Sequence, residues 1–338
     1  LNQQQIKTAI DLFAGIGGFR LALEKNGIQC VYSNDHNKYS CQTYSANFGD
    51  IHCADLNEIP AETIPSFDLL CGGFPCQPFS IAGVSKKQSL GRKHGFDDEK
   101  QGNLFFEILR IIDYHQPKVI FLENVKNLKS HDKGNTWKVI KSKLSQRGYN
   151  IFSQVIDGKY YLPQHRERIF IICFNQNHFP DLNFIFPNPP QKRLYELQDL
   201  FEENVDNKYT LSDKLWSYLQ QHKENSKAKG NGFGYGIIDH KSEYTRTLSA
   251  RYYKDGSEIL VEQSNKNPRR LTPRECAKLQ GFPDDFIIPV SDNQAYKQFG
   301  NSVIVPLIND IITQIKLTVD QYNLSKSTQK QLEDINIR

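Results

Sequence analysis

The stretch Phe67-Asp68-Leu69-Leu70-Cys71-Gly72-Gly73-Phe74-Pro75-Cys76-Gln77-Pro78-Phe79-Ser80 decides how the chain is read. It begins as a short apolar run of the kind that forms a buried strand. Gly72 and Gly73 permit a tight turn, and Pro75 and Pro78 bracket Cys76. Neither proline carries an N–H, so the segment resists helix and sheet pairing alike. Cys76 is thereby set at the C-terminal end of a strand, the edge where open α/β sheets place their ligands. A cysteine that only fills core space needs no rigid Pro-Cys-Gln-Pro frame, so Cys76 is read as a reactive thiol.

On the N-terminal side, Lys7 to Phe13 reads as a buried strand that runs into Asp11-Leu12-Phe13-Ala14-Gly15-Ile16-Gly17-Gly18-Phe19-Arg20. A helix follows with Phe19, Ala22 and Leu23 on one face. Strand, glycine turn and helix make the grammar of a nucleotide site, although only Gly15-x-Gly17-Gly18 of the dinucleotide fingerprint is present. Ile28 to Tyr32 is the next strand, and Asn34-Asp35 ends it twenty residues after Gly15. A carboxylate there can accept from both hydroxyls of a ribose.

On the C-terminal side, Ile81 to Gly102 is polar and carries Lys86, Lys87, Arg92 and Lys93 among several glycines, which suits a lid with phosphate-binding cations. Leu104, Phe105, Ile108, Ile111 and Ile112 recur at helical spacing, and Lys118 to Leu122 forms a strand that ends in Glu123. Burial at that strand end would raise the Glu123 pKa and keep a proton available near neutral pH. Thr136 to Arg147 reads as a helix with Trp137, Ile140 and Leu144 inward. Pro163-Gln164-His165-Arg166-Glu167-Arg168 leads into a strand over Ile169 to Phe174.

Composition changes at Phe186-Pro187-Asn188-Pro189-Pro190, a linker. Beyond it, Lys223 to Glu275 holds eleven Lys and Arg against seven Asp and Glu, an excess equal to the whole chain's net charge of +4. Basic residues alternate with Tyr and Thr in Thr245 to Gly256, a pattern that suits contacts to a nucleic-acid backbone and, through arginine, to guanine. Pro273 stands at a helix start. Val303 to Leu317 is an apolar helix expected to return to the first domain, and the polar tail from Asn323 to Arg338 is expected to fray.

Across 338 residues a net charge of +4 is too mild to predict nucleic acid by itself. Seven cysteines without regular spacing fit a reducing cytoplasm rather than a disulfide framework. No Cys or His pair has zinc spacing, so no metal is expected. No membrane-length apolar run or signal peptide is read, so no membrane is expected.

Gly73-Phe74-Pro75-Cys76-Gln77-Pro78-Phe79-Ser80 resembles the nucleophile loop of the cytosine-C5 DNA methyltransferases, and the ordered set of motifs from Asp11 to about Leu307 carries the resemblance. It implies an α/β fold: a Rossmann-like S-adenosylmethionine-dependent methyltransferase sheet with a smaller, mostly β or irregular target recognition domain. Residues 1–187 plus 296–338 would form the catalytic domain, and 188–295 the recognition domain and hinge. The cofactor would be S-adenosyl-L-methionine, which has ribose and adenine but no phosphate and so suits an abbreviated glycine loop; the product is S-adenosyl-L-homocysteine. By resemblance Phe13 stacks on adenine beside Gly15, Ile16 and Gly18, Asp35 takes the ribose, and Asp55 and Leu56 edge the purine. His36 stands where the family often has tryptophan. Pro75, Leu104, Asn301 and Val303 complete the pocket. Cys76 would be the nucleophile, Glu123 the acid on cytosine N3, and Arg168 the contact that steadies acid and base. Double-stranded DNA would meet Gln77, Ser80, Ser85, Lys86, Arg92, Arg166, Arg246, Arg251, Tyr252 and Lys254. The wording of the recognition region is similar to that of bacterial restriction-modification methylases of the inner cytosine of CCWGG or CCNGG. A cytoplasmic monomer is expected. Two rivals stay open at this point: a tRNA cytosine-C5 methyltransferase, and a catalytically silent DNA-binding regulator.

Overall fold

Strand β1 (Thr8–Leu12) lies inside a seven-stranded sheet, because Ala9, Ile10, Asp11 and Leu12 are all fully buried. The structure is a computed structural model and describes residues 4–74, 104–230, 234–239 and 241–336. After β1 come helix α1 (Gly18–Lys25), β2 (Gln29–Asp35), α2 (Lys38–Phe48), β3 (His52–Cys53) and β4 (Leu69–Gly73). Then follow α3 (Leu104–His115), β5 (Val119–Val125), α4 (Asn135–Ser145), β6 (Tyr149–Asp157) and β7 (Glu167–Asn175). The spatial order is β3-β2-β1-β4-β5-β7-β6. Five strands run parallel, and β7 lies antiparallel to both of its neighbours. The chain moves outward from β1 to β3 and then crosses back to β4, so the topological switch point falls between β1 and β4.

Alternation along the strands divides the core in two. Ala9, Leu69, Cys71, Val119, Phe121, Phe170 and Ile172 face one way and pack against α1. Ile10, Leu12, Leu70, Ile120, Leu122 and Ile171 face the other way, under α3 and α4. Each Val, Leu, Ile or Phe among them contributes about 1.5–3 kcal/mol on burial. Strand β6 escaped the sequence reading because it is an edge strand whose residues are mostly half-buried, without clean alternation.

The smaller lobe holds α5 (Asp213–Ala228) and a sheet of two-residue strands, β8 (Ile237–Ile238), β9 (Leu260–Val261) and β10 (Arg269–Arg270). Helices α6 (Pro273–Gln280) and α7 (Asp292–Asn301) follow. Helix α6 starts where the sequence places it: Pro273 is in the first turn, and Thr272 and Glu275 cap one another's amides. Ala295, Tyr296 and Phe299 of α7 join the small-lobe core with Tyr252, Leu271 and Phe282. A boundary at 296 therefore cuts a helix.

Helix α8 (Val305–Asn336) carries the chain back to the large sheet. Where the tail from Asn323 was expected to fray, the helix continues as far as Asn336, through residues such as Lys, Gln and Leu that favour it. Within Asp292–Gln329 an 18-residue window reaches a mean hydropathy of 1.4, long and apolar enough to cross a membrane, contrary to the sequence reading. Half of that window is buried, and Leu307, Ile308, Ile311, Ile312, Ile315 and Val319 belong to the core on the α1 side. A second departure concerns the cysteines. Cys41 of α2 and Cys53 of β3 are joined as a disulfide. The β2–β3 register pairs Asp35 with Cys53, and Cys41 Sγ lies 3.4 Å from the Asp35 carbonyl, so both sulfurs converge on one strand end.

Candidate active site

The turn after β1 is held in an uncommon conformation. Phe13 has φ of 56°, a region bulky side chains rarely enter. It is fixed from both sides: Ala14 N donates to Asn34 O at 2.9 Å, and Gly17 N donates to Ala14 O at 2.9 Å. Asp35, at the end of β2, accepts from Gly15 N at 2.9 Å through Oδ2 and from Asn37 N at 2.8 Å through Oδ1. Each carboxylate oxygen has two acceptor positions, so one on each remains for a ligand. Gly18 lets the returning chain approach, since a Cβ there would stand 2.6 Å from Cγ2 of Val303.

These elements line a cleft of about 590 Å³ at the C-terminal edge of the sheet. Phe13, Gly15, Ile16, Gly18, Asp35, His36, Leu104, Asn301 and Val303 all border it. Asp55 and Leu56 do not. Asp55 accepts the backbone N–H and the side-chain amide of Asn57, and Leu56 is 2% exposed within the core. The cleft also takes in Gln294, Lys297, Gln298, Ala250 and Tyr253, which the sequence reading did not single out. Lys297 Nζ sits 4.4 Å from the Tyr253 ring, a cation–π contact that closes this wall from the small lobe. Only the Gln294–Val303 motif hinted at it.

Glu123 and Asn124 end β5 in the same cleft. Glu123 Oε1 faces Arg168 Nε at 3.1 Å. Burial pushes the Glu123 carboxyl up, against the opposing pull of Arg168 and Arg166. Asn124 Nδ2 donates to Phe74 O at 2.9 Å and pins the chain one residue past β4. Cys76, Pro75, Gln77, Ser80, Ser85, Lys86 and Arg92 lie outside the described residues.

Two placements correct the expected DNA contacts. Arg166 is 3% exposed and donates to Leu248 O, Gly300 O and Ser302 O at 2.9, 3.2 and 2.6 Å. Its guanidinium ties the two lobes together instead of meeting DNA, and burial together with Arg168 brings its pKa down to about 9. Tyr252 is fully buried; its hydroxyl donates to Ile259 O at 2.6 Å and accepts from Leu271 N at 2.8 Å. The alternation of basic and aromatic residues could not separate an inward tyrosine from outward cations. Arg246, Arg251 and Lys254 are exposed, although Arg246 also donates to Gly234 O at 2.6 Å.

Asp11 lies within β1 and is fully buried. Both of its oxygens are buried without a hydrogen-bond partner among the described residues. Burial, reinforced by Asp35 and opposed by Arg20, pushes its pKa up to about 8, so at neutral pH it is mostly a neutral acid beside the glycine turn.

A doubly wound sheet with a glycine turn after β1 and a carboxylate at the end of the neighbouring β2 defines a Rossmann-like α/β fold. Solved structures with this fold include the S. pombe Dnmt2 methyltransferase, with a TM-score of 0.74 and 19% identity over 94% of this chain and 99% of that one. The Entamoeba histolytica methyltransferase EhMeth has a TM-score of 0.71 and 22% identity over 96% of this chain and 99% of its own. The chain belongs to the C-5 cytosine-specific DNA methylases, whose family model matches residues 7–317. Among its relatives, the Type II methyltransferase M.DsaV of Dactylococcopsis salina is 47% identical over 98% of this chain and 91% of its own length. M1.ScrFI of Lactococcus lactis subsp. cremoris is 52% identical over 89% of this chain and 76% of its own. M.SsoII of Shigella sonnei is 50% identical over 92% and 80%. The protein is therefore a DNA cytosine-5 methyltransferase, and membership of this family implies dependence on S-adenosylmethionine.

Proposed function

We propose that the chain methylates C5 of a cytosine extruded from a specific duplex site, in the cytoplasm, as the modification partner of a Type II restriction system. The observation that carries this reading is the pairing of half-buried Arg168 with buried Glu123 in the cleft, beside the anchored Phe74 carbonyl. The residues of the cleft suit an adenosine-bearing sulfonium: Phe13 offers an aromatic face, Asp35 has spare acceptor positions, and Leu104 and Val303 add apolar cover. S-adenosylmethionine, when bound, supplies an electrophilic methyl group and leaves as S-adenosylhomocysteine.

Cytosine C5 is a poor nucleophile. Addition of the Cys76 thiolate to C6 forms an S–C6 bond and pushes electron density to C5. Glu123 donates its proton to N3 as the adduct forms, and Arg168 stabilises the charge developing at O2. After C5 is alkylated, N3 returns its proton to Glu123, a base or water removes the C5 proton, the S–C6 bond breaks and the thiolate is restored. C6 is out of reach inside a duplex, so the base must leave the stack.

Bisulfite sequencing of DNA from cells that express the protein is expected to show 5-methylcytosine at one duplex site, with the inner cytosine of CCWGG and CCNGG the first to inspect. In vitro, methyl transfer to duplex DNA should far exceed transfer to tRNA. Methylated tRNA with unmodified duplex would overturn the reading.

A further inference from the structure

The disulfide lies against the cofactor edge of the cleft. Cys41 of α2 is bonded to Cys53 of β3, twelve positions further along the chain. Both sulfurs bear on the backbone of Asp35: Cys53 pairs with it in the β2–β3 register, and Cys41 Sγ stands 3.4 Å from its carbonyl oxygen. The Asp35 carboxylate in turn holds Gly15 N and Asn37 N. Asn37 then caps α2, its side chain accepting from Tyr39 N at 3.0 Å and from Ser40 N at 3.1 Å. Asp35, Asn37 and Ser40 all line the cleft. One covalent bond therefore braces the corner that carries the ribose-binding carboxylate.

That corner is lightly built. Strand β3 is two residues long, lies at the edge of the sheet and is exposed at both positions. Noncovalent support comes from the Asn34 amide, which donates to His52 O and Ala54 O at 2.9 Å each, and from Ala54 N, which donates to Asp35 O at 3.1 Å. A short exposed edge of this kind opens by local unfolding at low cost. A ligand that binds only the closed corner has its apparent affinity reduced by the fraction of chains that are closed. The bond raises that fraction.

The bond is also accessible to exchange. Cys53 is exposed, whereas Cys71, Cys173 and Cys276 are buried. To close the pair, the Cys53 thiolate attacks one sulfur of a small-molecule disulfide and expels a thiolate. Cys41 then attacks Cys53 Sγ in the mixed disulfide and expels the second. The two protein thiols give up two electrons and two protons, and the small disulfide takes them up as two thiols. The reverse sequence opens the pair.

We propose that Cys41 and Cys53 form a reversible redox latch on the cofactor site, which strengthens S-adenosylmethionine binding when oxidation closes it and weakens binding when reduction opens it. The inference rests on the S-adenosylmethionine reading of the cleft given above. The test uses the full chain carrying Cys76→Ser, so that the proposed nucleophile does not react with the oxidant. Calorimetry gives the S-adenosylmethionine Kd after equilibration in oxidised or in reduced glutathione, and the oxidised chain is expected to bind about fivefold or more tightly. Linkage is reciprocal, so saturating S-adenosylmethionine should shift the glutathione ratio that opens half of the bonds, read by thiol alkylation and mass spectrometry, by the same factor. Cys53→Ser in the same background should bind equally in both buffers, with the affinity of the reduced chain. Equal affinities of the oxidised and reduced chains, no Cys41–Cys53 bond in oxidised glutathione, or a redox response that persists in Cys53→Ser would each overturn the proposal. The reciprocal shift needs no change at either cysteine and decides the matter should Cys53→Ser fail to fold. A chain that binds no S-adenosylmethionine in either buffer would instead overturn the cofactor reading on which the proposal stands.

Discussion

Arg168 of β7 reaches diagonally across the strand pair to Glu123 of β5, Nε to Oε1, over 3.1 Å. The register explains the reach. Glu123 lies opposite Phe170, so Arg168 is two residues along on the same face, a separation that a long side chain spans. Burial favours the protonated acid and the guanidinium opposes it, with the balance on the raised side. Burial thus favours the protonated form of the acid in the cleft.

Glu123→Gln should lower kcat by a factor on the order of 10²–10⁴, the usual contribution of a positioned acid, with S-adenosylmethionine affinity close to that of the wild type. Because the acid must be protonated, activity should fall as pH rises through its raised pKa. Arg168→Ala removes the charge that holds this pKa down, so the alkaline limb should move to higher pH even as the rate drops. A pH–rate profile of kcat/KM checks both, and an alkaline limb that stays in place would dissociate the pair.

Cys76→Ser should abolish turnover while cofactor binding, followed by calorimetry, survives. Full activity in this variant would remove the nucleophile from the mechanism.

Arg166→Met strands three carbonyl oxygens at the junction of the lobes, those of Leu248, Gly300 and Ser302. A loss of about 3 kcal/mol in denaturant unfolding is expected, with incomplete recovery in Arg166→Lys, which cannot reach all three. Cofactor affinity should weaken as well, because Gly300 and Ser302 flank Asn301 in the cleft.

Asp11→Asn should stabilise the protein in a pH-dependent way. The folded-state pKa of about 8 lies above the ordinary 3.8, so between those values the unfolded chain gives up a proton that the folded one keeps. Stability from this group is therefore present at low pH and lost as pH rises toward about 8. Thermal melts should show little gain near pH 4 and a rise in Tm of about 5 °C or more near pH 8.

Much of this was legible in one dimension. Apolar runs that end in Asp35 and Glu123, the glycines after Leu12 and the Pro-framed Cys76 each declare a strand end, because buried parallel strands are continuous in hydrophobicity and their turns need special residues. The expected C-terminal edge is the one on which Phe13, Asp35 and Glu123 meet. Where the reading slipped, the side chain's direction was at stake. Arg166 and Arg168 sit two apart with the same chemistry, yet one is spent on carbonyls and the other on Glu123. Tyr252 and Arg251 are neighbours of opposite fate, one in the core and one exposed.

By itself the sequence determined the order of elements, the glycine turn, and which residue types stand at the strand ends. These follow from local periodicity and backbone chemistry, which act over a few residues. Only the tertiary structure decided that α7 belongs to the small-lobe core, that Lys297 and Tyr253 close the cleft, and that the Asp11 carboxyl is buried without a side-chain hydrogen bond among the described residues. Those outcomes depend on contacts between residues distant in the chain, and on burial, which sets both the pKa of a carboxyl and whether an arginine is free to meet a ligand.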